Sequence, residues 1–419
     1  MIFRIRSASF LLIVLFVSAS AVAQNAVTDW NTIASQTIIA RGGKSGGAIS
    51  VWFAYSAIAT YDAVNSIRQQ YQPFYYAEPG PAGASEAAAA VGAAHRVLVH
   101  YFPAQQTILD SALQDSLTKI TDSDWAKDAG VDVGEASAAA LIEARANDGL
   151  EANVPFVPGS GPGVWQPTSP TPPQTPWLGV MRPFTMNSAS QFLPDPPLAL
   201  TSDQWISDYN VVRELGRVDS TARTAAQTEI GLFWTENTAQ QYARVFTNLA
   251  TYYQLDVLES SRLLALLWTG FADGAIGVYN AKYTYAFWRP VTAIRAGGGN
   301  ENLIADPSWT PLGVTPNHPE YPAAHGSVTG AITTLLDDYF GTRAVHIVVD
   351  SRAFKDGIHT HVFEDTRDLA DEVYWARIYA GFHYPQSVKV GEDLGKVIAQ
   401  HLFATKFRRP RLPRGFQLR

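Results

Sequence analysis

The stretch Asn317-His-Pro-Glu-Tyr-Pro-Ala-Ala-His-Gly326 is followed by Val328, Ala331, Ile332, Leu335, Leu336 and Tyr339, apolar residues at three- and four-residue steps. That period predicts a helix with Pro322 at its first position, where the missing N–H costs nothing. His325 then falls in the first turn, where free backbone N–H groups and the positive end of the helix dipole favour an anion. Two distant segments carry side chains of matching chemistry, Lys282-Tyr-Thr-Tyr-Ala-Phe-Trp-Arg289-Pro290 and Arg377-Ile-Tyr-Ala-Gly-Phe-His383.

Working outward, the helical period persists. Leu258 to Lys282 carries Gly270, Gly274, Gly277 and Ala281 on one stripe, which predicts close approach by a neighbouring helix and a rigid base for Lys282. Segments 221–235 and 237–254 read as helices, and Thr201-Ser-Asp-Gln204 resembles a capping box that opens another through Tyr209, Val212 and Leu215. Nearer the start, Val27 to Arg41, Ala48 to Arg68, residues 85–102, the run Leu109, Leu113, Leu117 and Ile120, and Val133 to Ala146 read the same way. Asp62, beside an apolar face, reads as a buried structural carboxylate. His95 and His100 read as packing or helix-end residues. Ala344 to Val349 is the one alternating stretch, so the fold class is mainly α, a helical bundle.

Composition bounds the function. The chain has 419 residues, 47% of them hydrophobic, enough for a large core. Its formal charge is −7, which argues against a nucleic-acid partner and requires any anion site to be a local cationic cluster. Cysteine is absent, which excludes disulfides, thiolate metal sites and a cysteine nucleophile. Residues 1–23 read as an export signal, with Arg4 and Arg6 before an apolar run and Ala21-Val22-Ala23 as the cleavage site, implying a periplasmic or extracellular protein. No later segment is an apolar stretch of about 20 residues, so no integral membrane span is expected. Residues 24–153 form an N-terminal helical part, 154–200 a Pro-rich loop, 201–405 the C-terminal bundle and 406–419 a basic tail. Trp165, Trp177, Phe184 and Phe192 in the loop predict that it wraps a surface, since free spacers lack aromatics.

Lys282 and Arg289 are seven residues apart, which on a helix returns to within about 20° of one face. Arg289 precedes Pro290, which places it where the helix ends and the chain can turn inward. A guanidinium fork and an ammonium aimed at one point suit an oxyanion. Gly381 and Pro385 end the helix that carries Arg377, so His383 projects from a turn. His359-Thr-His361 has a chelating spacing, with no matching carboxylate or third histidine nearby in the sequence. His318 reads as a supporting turn histidine, and Phe287 and Trp288 as core aromatics that can alternatively line a substrate pocket.

Taken in order, Lys282, Arg289-Pro290, Pro322-Ala-Ala-His325-Gly326, and Arg377 with Gly381 and His383 resemble the three-part motif of the vanadium-dependent haloperoxidase and type 2 phosphatidic acid phosphatase superfamily. Val27-Thr-Asp-Trp-Asn-Thr-Ile-Ala, Tyr61-Asp-Ala-Val-Asn65 and Ser188-Ala-Ser-Gln-Phe192 extend the resemblance to its exported bacterial branch. The resemblance implies two packed four-helix bundles with an anion pocket in one of them. It implies that Lys282, Arg289, Arg377 and the Ala324 N–H hold vanadate oxygens, that His383 ligates vanadium through Nε2, and that His325 is the acid/base partner of the apical oxygen. It further implies that hydrogen peroxide oxidises halide there, with Lys282 polarising the peroxide, and that a small organic molecule is a candidate acceptor.

Two positions depart from the motif. Ala323-Ala324 stands where the family often has Ser-Gly, removing a hydroxyl worth about 1–2 kcal/mol to the oxyanion. Ser387 stands where phosphatase relatives commonly have an aspartate, which tilts the reading toward the peroxidase. The alternatives are an acid phosphatase, with phosphate in the same pocket, His383 as nucleophile and His325 as acid, and an oxyanion-binding protein without turnover.

Overall fold

The computed structural model describes residues 25–410, so the export signal and most of the basic tail lie outside the described residues. Thirteen α-helices and one two-stranded sheet are present among them, a mainly α helical-bundle fold. The helices are α1 (Ala26–Ser35), α2 (Ile49–Arg68), α3 (Glu86–Tyr101), α4 (Gln106–Lys119), α5 (Asp124–Arg145), α6 (Asp203–Leu215), α7 (Ala225–Phe233), α8 (Thr238–Tyr252), α9 (Val257–Tyr285), α10 (Pro290–Ala296), α11 (Ala324–Phe340), α12 (Thr366–Tyr379) and α13 (Pro385–Thr405). No helix among the described residues is long and apolar enough to cross a membrane.

α2, α3 and α5 pack on one another, α11 packs on α12 and α13, and α9 touches both groups. One hydrophobic cluster joins the two groups, from Trp30 and Phe53 to Leu335 and Ile398. The small-residue stripe of α9 works as its spacing predicts: a Cβ on Gly270 would lie 2.3 Å from Leu335, and one on Gly277 3.0 Å from Ile398. α11 and α13 meet more closely still. A Cβ on Gly395 would lie 1.9 Å from the Ser327 carbonyl, so only glycine permits this contact, and it locks the start of α11 against α13.

Helix starts follow capping chemistry, with two shifts from expectation. Ser202, not Thr201, caps α6 by accepting from Trp205 N, and Gln204 bonds Asp208 at 2.7 Å instead of closing a box. A reciprocal box occurs at Thr224 and Gln227, opening α7. The expected strand is displaced to β1 (Ile347–Ser351) and pairs antiparallel with β2 (His359–Phe363), which sequence reading missed.

Trp165, Trp177, Leu178 and Phe184 of the Pro-rich loop are buried, and Phe184 N and Thr185 N donate to Asp273 of α9 at 2.7 and 2.9 Å. Asn317 holds the same loop from the other side through Thr168 N (2.8 Å) and Thr171 O (2.7 Å). Asp62 is buried and accepts from Phe74, Tyr75 and Tyr76 N–H groups at 2.7–3.0 Å. Burial raises its pKa to about 6 against the pull of those bonds. His95 pairs with Asp110 at 2.8 Å and packs on Trp30, while His100 packs edge-on against Tyr101. At the other end, Phe407 is buried and Lys406 lies 4.5 Å over Phe74, so the start of the tail is docked.

Candidate active site

Three helix breaks deliver the site. α9 ends at Tyr285, Ala286 turns left-handed (φ 46), and the chain is extended at Arg289 (φ −76, ψ 154) before Pro290 opens α10. Arg289 thus reaches inward from a break, and the seven-residue helical step plays no part. α12 ends at Tyr379, Gly381 turns the chain (φ 74), and His383 sits in the link before Pro385 opens α13. α11 begins at Ala324 with Ala323 as its uncapped N-cap, so Pro322 lies before the helix and is not its first residue. His325 falls in the first turn, as its sequence position predicts. The Ala323 N–H donates to Ser387 O at 3.0 Å, pinning this turn to α13.

Lys282, Arg289, Arg377 and His383 converge and are all buried. Lys282 Nζ donates to Pro319 O (3.0 Å) and Glu320 O (2.6 Å). Arg289 donates from Nε to His318 O (2.9 Å) and from Nη1 to Phe382 O (3.0 Å), and its Nη1 lies 3.2 Å from His383 Nε2. Its Nη2 lies 3.0 Å from the His318 ring, which gives His318 the supporting place read for it. Arg377 donates from Nη1 to Trp234 O at 2.8 Å and lies 4.8 Å over Phe382, while its buried Nε has no hydrogen-bond partner.

Glu320 is the residue that sequence reasoning missed. Its Oε1 lies 2.8 Å from His383 Nδ1 and accepts from Tyr384 N–H at 3.2 Å. A carboxylate acceptor places the proton on Nδ1 and leaves the Nε2 lone pair facing Arg289. Ser387 therefore does not deprive His383 of a carboxylate: Glu320 supplies it from the stretch before α11, and position 387 does not separate peroxidase from phosphatase.

The electrostatics are those of a cavity that wants an anion. Burial and then Arg289, with Arg377 adding, push Lys282 well below its ordinary pKa, and only Glu320 opposes them. Arg377 is lowered to about 9 by burial and Arg289. His325 and His383 are held well below 6.5 by burial and by the three cations. Glu320 is raised to about 7 by burial, with Lys282 and Arg289 pulling the other way. One carboxylate thus faces three buried cations, and charge buried without compensation is costly.

Ala324 and His325 border a cavity of about 400 Å³ whose walls include Phe271, Tyr279, Asn317 and His318. Its one charged wall residue, Glu236, pairs with Arg244 at 2.8 Å. His325 Nε2 lies 2.7 Å from Thr238 Oγ1. Phe287 and Trp288 lie in a second buried cluster with Trp205 and Tyr384, so they pack the core and do not line this cavity. His359 and His361 lie apart from the site on β2. Contrary to the sequence reading, carboxylates are near: Glu229 approaches both (3.0 and 3.1 Å) and Glu372 approaches His361 (2.7 Å). No group of three or more ligands fit to hold a metal ion occurs among the described residues.

The donor set fits a tetrahedral oxyanion with a metal centre: the orphaned Arg377 Nε, a helix start without a side-chain cap, and an imidazole whose Nε2 meets only Arg289. Residues 262–409 match the VCPO second helical-bundle domain family. Vanadium chloroperoxidase of Curvularia inaequalis is 26% identical over 217 residues, which cover 42% of this chain and 35% of that protein. Residues 262–409 thus carry this family's helical-bundle domain, and the two matches support a relation to the vanadium haloperoxidase superfamily. The chain spans about a third of the length of that chloroperoxidase. Likeness of fold to solved structures extends over most of the chain. A crystal structure of the first bacterial vanadium-dependent iodoperoxidase covers 92% of this chain and 97% of its own, with a TM-score of 0.76 at 22% identity. A holo-type bacterial vanadium-dependent chloroperoxidase covers 85% and 90%, with a TM-score of 0.67 at 15% identity.

Proposed function

We propose that this protein is a vanadium-dependent haloperoxidase, oxidising halide with hydrogen peroxide at vanadate bound in the pocket of Lys282, Arg289, Arg377 and His383. The observation that carries the reading is the His383 imidazole, tied at Nδ1 to Glu320 and presenting Nε2 among three buried cations. Vanadate bound there supplies Lewis acidity toward peroxide without a change of oxidation state.

The chain's own residues do the rest. His383 offers Nε2 as the metal ligand, and Glu320 fixes its tautomer and raises its basicity. Arg377, with most of its donors unspent, and Lys282, with one of three free, supply charge to the oxyanion. Arg289 exchanges its present contact with His383 for the same purpose. The Ala324 N–H adds a neutral donor. His325, kept neutral by its surroundings, would take and return a proton beside the bound oxyanion. Hydrogen peroxide, halide and a small organic acceptor reach His325 through the adjoining cavity. An exported location, resting on residues 1–23, belongs to the same proposal.

The second reading is an acid phosphatase, favoured by one specific observation: the Glu320–His383 pair is a carboxylate-oriented imidazole suited to attack phosphorus. The test is bromide- and iodide-dependent halogenation with hydrogen peroxide after orthovanadate is added to apo-protein, beside para-nitrophenyl phosphate hydrolysis without vanadate. Vanadate-dependent halogenation supports the peroxidase. Hydrolysis without halogenation replaces it with the phosphatase, and silence in both assays leaves oxyanion binding without turnover.

A further inference from the structure

We infer that Thr238 is a positioning residue for His325: its hydroxyl holds Nε2 and so commits Nδ1 to the oxyanion. The inference rests on the reading of His325 as the acid/base group.

Thr238 is the first residue of α8, whose N-cap Asn237 accepts from Gln240 N–H at 3.1 Å. Its Oγ1 lies 2.7 Å from His325 Nε2, 87 residues away in sequence. Neither partner is free to move. A β-branched side chain at a helix start has few χ1 choices, and the first turn of α11 is pinned to α13 through Ala323 and Gly391, where a Cβ would lie 2.4 Å from the Ala323 carbonyl. Both residues border the cavity, and Arg377, Lys282 and Arg289 act on the His325 ring from outside its lining.

A neutral hydroxyl is the partner this imidazole needs. With Nε2–H donating to Oγ1, Nδ1 carries a lone pair when His325 is neutral and an N–H when it is cationic, and the ring need not turn between the two states. Nδ1 is then the only atom that changes: it takes one proton from a group bound in the pocket and later gives one back. A carboxylate in the same place would orient the ring equally well but would stabilise the imidazolium. The charged groups facing His325 act the other way: Arg377 on α12, Lys282 on α9 and Arg289 between α9 and α10. His318 also lines the cavity, and Glu236 there is engaged by Arg244.

The test uses the full-length protein with ¹⁵N-labelled histidine, as wild type, Thr238→Val and Thr238→Ser, with the His325 signal assigned by its loss in His325→Gln. Long-range ¹H–¹⁵N spectra of the ligand-free protein are expected to show a single Nε2–H tautomer for wild type and serine, and a mixture or the Nδ1–H tautomer for valine. In the vanadate-loaded enzymes, valine is expected to lower kcat for bromide oxidation roughly three- to tenfold and to move the pH profile, with KM for peroxide unchanged and serine restoring both. The inference is overturned if valine keeps the wild-type tautomer and profile, or if serine loses as much as valine. Should valine not fold, Thr238→Ala carries the same comparison. Wild type that binds no vanadate and turns over no halide defeats the proposed function, while the spectra still decide the Thr238 contact.

Discussion

Replacing Glu320 by glutamine separates two things the pocket does, coordinating a metal and attracting an anion. Glu320 is fully buried, accepts from His383 Nδ1 at 2.8 Å and is the one carboxylate acting on Lys282 and Arg289. Glutamine keeps the shape and an acceptor oxygen but removes the charge. The charge-assisted bond contributes about 1.5–3 kcal/mol, and loss of a carboxylate behind a metal-ligating histidine typically costs about 10–100-fold in affinity. The electrostatic effect has the opposite sign, because removing a negative charge beside three cations favours any incoming anion. Vanadate, which takes a bond from Nε2, is therefore expected to bind Glu320→Gln about 10–100-fold more weakly, whereas phosphate, which takes none, binds as well as before or better. Titration calorimetry with orthovanadate and with phosphate, on wild type and variant, measures both. Equal losses for the two anions, or an unchanged preference for vanadate, would refute the assignment of Glu320 as the residue that tunes His383.

Other consequences follow from the same charge balance. Arg377→Met is expected to raise the melting temperature of the ligand-free protein while abolishing oxyanion binding, since it removes a buried cation repelled by Arg289; calorimetry with and without vanadate checks both halves. Because Lys282 and His325 have pKa values held down by burial and by neighbouring cations, an oxyanion raises them and binding takes up protons. Affinity should thus fall as pH rises, and the binding enthalpy should differ between buffers of unequal ionisation heat. Ala323→Ser places a hydroxyl at an uncapped N-cap beside the pocket, and is expected to stabilise the fold by about 1 kcal/mol in urea titrations. The same hydroxyl should improve vanadate affinity about three- to tenfold.

The helices and the three cations were legible in the sequence because each depends on local pattern. Apolar period gave α9 and α11, Pro290 gave the break that turns Arg289 inward, and Gly381 with Pro385 gave the turn that carries His383. What was hidden depends on chain segments far apart. Glu320 meets His383 across 63 residues, and the sequence neighbours of His383 offer only Ser387. Thr238 meets His325 across 87 residues for the same reason. β2 escaped notice because its two histidines and exposed threonine lack the apolar alternation of a half-buried strand, and its pairing with β1 supplies the order. α11 starts two residues after Pro322, which suits a first helical position in sequence but is followed by an extended Ala323 (φ −70, ψ 122).

The central claim is that vanadium bound here takes a nitrogen ligand from His383. X-ray absorption at the vanadium edge, on vanadate-loaded wild type and His383→Ala, tests it most directly. The account predicts one nitrogen neighbour in the vanadium shell of the wild type, lost in the variant together with halide oxidation. An unchanged shell in His383→Ala, or vanadate bound with oxygen neighbours alone in the wild type, would contradict it.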